Sequence, residues 1–98
     1  MQKIKITTEE ADQIYTELPE DAVCIGNEAE ERRLYASAII GVAQVGDSVC
    51  VFYSYDRLLP AILEYQKLMS LEEAADYCSY NVMGGLHFAG APIIVMED

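Results

Sequence analysis

The side chains able to act as nucleophiles or metal ligands in this chain are few: three cysteines, Cys24, Cys50 and Cys78, and a single histidine, His87. A cysteine beside a histidine can supply the activated thiolate of a nucleophilic enzyme, and three thiolates with one imidazole make a zinc set. Neither arrangement has a local signature here. The cysteines are far apart, odd in number, set among apolar or small residues and form no C-x-x-C pair. The sequence therefore predicts buried free thiols in a reducing compartment. His87 lies in the apolar stretch Gly85-Leu86-His87-Phe88 and reads as a packed or surface histidine. The carboxylate pairs Glu9/Glu10 and Glu72/Glu73 offer oxygens to a hard cation, but both fall in the first turn of predicted helices, where acids serve capping and the helix dipole. Gly84-Gly85 lacks the Lys-Ser/Thr ending of a phosphate loop and follows a helix, where such a loop would precede one. No catalytic residue, metal or cofactor is expected.

The residue types that carry more information are carboxylates and tyrosines. The formal charge is −11, from 17 acids against 6 bases. Residues 7–31 contain nine acids and no Lys or Arg until position 32; residues 69–98 contain five acids and again no base. Such a surface repels phosphate backbones and anionic bilayers, so direct nucleic-acid or membrane binding is disfavoured, and a basic protein surface is the natural electrostatic partner. Ordinary solubility is the better account of any single acidic face. Seven tyrosines, with two Phe and no Trp, supply nearly all the aromatic area. Tyrosine joins apolar area to a polar tip and is enriched at interfaces, although half-buried core packing explains any one of them. Together these types define an expected partner-binding set: Glu9, Glu10, Asp12, Glu17, Glu28, Glu30, Glu31, Glu73, Asp76, Tyr77 and Tyr80.

The elements that must position them can be read in turn. At 98 residues and 52% hydrophobic content, residues 1–98 form one domain able to bury a modest core without disulfides or metal. No apolar run approaches the roughly 20 residues of a membrane span, and the start MQKIKITTEEADQ lacks the apolar centre of a secretory signal, so a cytoplasmic protein is expected. Residues 3–6 alternate and suggest a brief edge strand. Thr7-Thr8-Glu9-Glu10 matches a capping box, with Ile6 and Ala11 at the staple positions. Ala11, Ile14, Tyr15 and Leu18 then make one apolar helical face, which Pro19 ends. Residues 28–33 read equally as a helical turn or an exposed connection. Within the apolar run LYASAIIGVAQV, residues 39–45 favour strand, and Gly41 marks a bulge or a close backbone approach. Gly46-Asp47 is a type II′ hairpin turn into a return strand over 48–54, apolar on both faces and so central.

A strand, helix, turn, helix unit over residues 48–82 forms the centre of the chain. Pro60 belongs in a first turn, so its helix should begin near Asp56, with Asp56 as cap, Leu59, Ile62, Leu63 and Gln66 inward and Lys67 in the last turn. Ser70-Leu71-Glu72-Glu73 is a second capping box with Met69 and Ala74 as staple. Leu71, Ala74, Ala75, Cys78 and Val82 form the buried stripe, and Gly84-Gly85 ends that helix in the left-handed conformation. Pro92 opens a last strand over 93–96, with Glu97 and Asp98 beyond it.

The pieces YASAIIGVAQVGDSVCVFYSYDRLLPAIL, MSLEEAADYCSYN and APIIV, in that order, resemble a group of short uncharacterised proteins common in phages and prophages of Gram-positive bacteria. The likeness covers the C-terminal two thirds. Where members of that group carry a basic residue after the Tyr-Asn pair, this chain has Val82-Met83-Gly84-Gly85. The resemblance implies a phage or mobile-element origin and supplies no chemistry. The expected fold is α+β: a small three- to four-stranded antiparallel or mixed sheet packed by about three helices. The expected function is that of a non-enzymatic interaction protein that binds a basic host protein surface, in its sharpest form an anti-defence inhibitor of the anti-CRISPR kind with carboxylates in place of phosphates. The alternatives are a structural or assembly protein that self-associates through its apolar strand edge or tyrosine face, and a small enzyme using a cysteine and His87.

Overall fold

The computed structural model describes residues 6–68 and 70–96. Of the expected strand at residues 3–6, positions 3–5 lie outside the described residues and Ile6 is in no strand; the Met69 staple and the terminal Glu97 and Asp98 also lie outside them. Among those described, four α-helices and a three-stranded mixed sheet make a small α+β fold. The order is α1 (Thr8–Glu17), α2 (Ala29–Ala36), β1 (Ile39–Val45), β2 (Ser48–Ser54), α3 (Tyr55–Gln66), α4 (Leu71–Tyr77) and β3 (Ile93–Val95). A π-helical turn over Cys78–Val82 and a 3-10 turn over Met83–Gly85 continue α4.

The sheet order is β1-β2-β3, so β2 is central as its two apolar faces required. β1 pairs with β2 antiparallel through the Gly46-Asp47 turn, and β3 pairs with β2 parallel, Phe52 opposite Ile93 and Tyr53 opposite Ile94. Gly46 has φ 62 while Asp47 stays outside the positive-φ region, the combination that defines a type II′ turn. The register slips between Ile39 and Gly41, leaving Ile40 as the extra residue of a bulge. Gly41 follows that bulge, its φ is not positive and a Cβ built on it meets nothing, so no close backbone approach requires a glycine there.

Val51 and Tyr53 turn to the helices and are fully buried with Leu34, Tyr35, Ala38, Leu58, Ala61, Ile62, Ala74 and Cys78. Tyr53 ties in the segment before α2, its hydroxyl accepting from the Ile25 backbone N–H at 3.0 Å. The Thr7–Glu10 capping box closes with two bonds of 3.1 Å. Of residues 28–33, Glu28 stands extended as the N-cap and 29–33 are helical, so among the described residues α2 is one helix more than the about three expected.

Four expectations about the central unit need correction. Ser54, not Asp56, caps α3: its hydroxyl accepts from Arg57 N–H at 3.3 Å, and β2 runs straight into the helix. The buried stripe moves with that start to Leu58, Ala61 and Ile62, leaving Leu59, Leu63 and Gln66 half-buried. Pro60 consequently lies past the first turn, where it offers no N–H to the Asp56 carbonyl. Lys67 is no last-turn cation but the cap residue itself, at φ 58 and ψ 37.

The α4 stripe holds at Ala74, Cys78 and Val82, while Leu71 is exposed and Ala75 half-buried. In an unbroken α-helix, spacings of four drift off one face. The wider π turn carries more residues per turn and brings Val82 back over Cys78. The helix then ends in the 3-10 turn, and neither Gly84 nor Gly85 takes positive φ. The last strand stops at Val95, one residue short of expectation.

Candidate protein-binding surface

Helices α1 and α2 pack together by their inner faces, and arginine is spent fastening them. Arg33 Nη1 donates to the Ile6 carbonyl at 2.7 Å while the same guanidinium pairs with Glu30. That hydrogen bond holds the Glu30 carboxyl below its ordinary value and raises Arg33. Tyr15 donates its hydroxyl proton to the Arg32 carbonyl, and the Arg32 guanidinium lies 4.7 Å over the Tyr15 ring. Between the helices is a cleft of about 360 Å³ lined by Thr8, Asp12, Tyr15, Glu30, Arg32 and Arg33, among others. Its two carboxylates formally balance its two guanidiniums.

The exposed surface of this segment is acidic. Of the nine carboxylates from Glu9 to Glu31, eight are exposed and Glu31 is half-buried. Glu9 and Asp12 stand on α1; Glu17 accepts from Gln13 Nε2 at 2.9 Å, and Glu10 is engaged in the capping box. Glu31 accepts from the Asn27 backbone N–H at 3.0 Å. On α4, Glu73 N–H donates to Ser70 Oγ at 3.2 Å and the Ser70 hydroxyl donates to the Glu73 carboxylate at 3.3 Å, so Glu73 serves the cap; Asp76 is exposed. Tyr80 stands on the π turn at 82% exposure, the most open of the large apolar-bodied side chains.

Several of these residues meet at a tyrosine cluster joining α2, α3 and α4. Tyr65 donates to Glu28 Oε2 at 3.0 Å, its ring stands edge-on to Tyr35 at 6.2 Å and 75°, and Gln66 Nε2 donates to the Tyr77 hydroxyl at 2.9 Å. Burial raises Tyr35 and Tyr65, with the Glu31 carboxylate adding to the shift of the first and Glu28 to that of the second. Sequence reasoning placed Glu28, Glu31 and Tyr77 in the site and left out Tyr65. The signal was there: Tyr65 follows Leu58 and Ile62 at the spacing of one helical face.

The thiols are all free. Cys78 and Cys50 are buried and Cys24 half-buried. Burial pushes the Cys78 thiol up to about 11, the opposite of what activates a nucleophile. His87 is exposed in the loop before β3. Among the described residues no three His, Cys, Asp or Glu side chains are grouped to hold a metal ion, and no helix is long and apolar enough to cross a membrane. Comparison of the chain with protein-family models, curated proteins and solved structures finds no match.

Proposed function

We propose that this chain is a small non-enzymatic interaction protein that binds a basic surface on a host protein through the carboxylates of α1 and α2. The observation that carries this reading is the eight exposed carboxylates between Glu9 and Glu30, in a stretch without a base of its own and with Arg32 and Arg33 turned to fastening the helices. Five of them, Glu9, Glu10, Asp12, Glu17 and Glu30, are held on two packed helices and keep fixed spacings, which is what a surface evolved to grip phosphates can recognise. The resemblance of the core to phage and prophage proteins of Gram-positive bacteria supports the sharper form, an anti-defence inhibitor that occupies a nucleic-acid-binding surface. Tyr80 and Asp76 are a second contact area on the same reading.

The test is affinity capture from a Gram-positive host lysate, followed by titration of the captured protein. Binding should weaken about tenfold or more as salt rises from about 50 to about 300 mM. The Glu9→Gln/Asp12→Asn double variant should weaken it at low salt, and duplex DNA should compete. Salt-independent binding would remove the phosphate-mimic form, and binding indifferent to the double variant would remove the role of α1.

A further inference from the structure

The outer edge of β1 is the feature of the fold that neither the acidic surface nor the core accounts for. β1 is the end strand of the sheet, and among the described residues no strand pairs with its outer side. Its seven residues, IIGVAQV, include no charge and no proline. Ile40, Val42 and Val45 are 42%, 43% and 46% exposed. Val42 sits opposite Val51, on the face the helices cover, yet Val51 is fully buried. The helical layer therefore stops short of β1, and the strand overhangs it with both faces open.

Natural edge strands are commonly protected by lysine, proline, bulges or shortness. β3, the other edge, is three half-buried residues long. β1 has a single bulge at its start, and from Gly41 to Val45 it pairs with β2 residue for residue, so its outer side is regular. In an antiparallel ladder alternate residues turn their N–H and C=O groups away from the partner strand. The edge thus presents unpaired backbone groups flanked by apolar side chains, which another strand satisfies.

Charge selects which strand. The chain carries −11 overall, yet no Lys, Arg, Asp or Glu occurs between Arg33 and Asp47. A basic partner finds nothing here to grip. Two copies of a strongly acidic chain repel through the helical surfaces, and this edge lets them meet without opposing carboxylates. Antiparallel pairing centred on Val42 or Ala43 sets Asp47 of one copy across from residues 37–39 of the other, a segment without charge. That arrangement is two-fold symmetric, so it closes at two copies.

We propose that two copies of the chain pair edge to edge through β1, antiparallel about a two-fold axis, to make one six-stranded sheet. This does not rest on the basic-partner reading, since none of the residues involved is acidic. The test is sedimentation equilibrium of the full chain over a concentration series, with Val42→Glu, Ala43→Glu and Val42→Thr variants and circular dichroism to show that each folds. Wild type should reach the mass of two chains. Each Glu variant should raise the dissociation constant about tenfold or more, while Val42→Thr, which keeps a β-branched uncharged side chain, should change it by less than about threefold. Val42 and Ala43 point to opposite faces, so either Glu variant alone decides the matter if the other fails to fold. A single-chain mass up to about 1 mM, assembly beyond two chains, or a dimer indifferent to the Glu variants would overturn the proposal.

Discussion

Tyr35, Tyr53 and Cys78 are fully buried and Tyr15 is half-buried, and burial is the leading cause of the rise in each of their pKa values. Tyr15 goes up to about 12 from an ordinary 10.0, and Cys78 to about 11 from 9.0. For Tyr15 the neighbouring Cys24 adds to the rise and the Arg32 guanidinium opposes it. Below the ordinary values folded and unfolded chains hold the same protons, so these groups' contribution is fully present. Above pH 9 the unfolded thiol ionises first, then the unfolded phenols, while the folded ones do not, and stability is lost as pH climbs through the folded values of about 11 and about 12. The melting temperature should be level from about pH 7 to about pH 9 and drop steeply beyond it, with phenolate absorbance lagging that of free tyrosine until the fold gives way. A level profile to about pH 11 would show that these hydroxyls and the thiol are already wet.

At the scale of elements, the junction between α3 and α4 is the place where local conformation is least comfortable. Lys67 adopts φ 58, a left-handed conformation that costs a residue with a Cβ about 1–2 kcal/mol. The geometry is retained because it lets Lys67 and Leu68 N–H groups both reach the Leu63 carbonyl, the latter at 3.1 Å, which closes the helix end. Lys67→Gly should stabilise the chain by about 1 kcal/mol, or about 4–8 °C in melting temperature. A loss of stability in that variant would mean the lysine side chain contributes more than its backbone costs. The same junction shows what a sequence reveals and what it does not. The Thr7 capping box and the Ser70 side-chain cap were legible because side chain and backbone settle them within four residues, although at Ser70 the Glu73 carboxylate takes the hydroxyl in place of the expected reach back to the cap backbone. The hairpin was legible because Gly46 tolerates the φ its turn demands. The start of α3 was not: Asp56 and Ser54 are both good caps, and the choice depends on how far β2 must run to pair with β3. The π turn was hidden for a similar reason, since only the need to keep Val82 against the core favours it over a plain α-helix.

For the whole molecule, the α+β class and the single core were legible in the alternation of apolar residues, because a buried face imposes its period wherever it occurs. The surface was legible only as a quantity. Seventeen carboxylates could be counted, but Glu10 and Glu73 proved to cap helices, Glu28 and Glu31 to hold Tyr65 and Asn27, and Glu30 to pair with Arg33, each through a contact that depends on the folded arrangement. The parallel pairing of β3 with β2 was also out of reach, since the chain between them contains two helices and no local signal gives a strand's direction. That pairing has a kinetic consequence. Phe52 and Ile93 stand about forty residues apart along the chain, whereas Val45 and Ser48 are nearly adjacent. Closing the long loop forfeits far more chain entropy than closing the short one, so β3 should dock after α3 and α4 have shortened the gap. Pulse-labelled amide exchange during refolding should show Cys50 and Phe52, whose N–H groups turn to β1, protected before Ile93 and Val95, and simultaneous protection would mean that the C-terminal strand takes part in the nucleus from the outset.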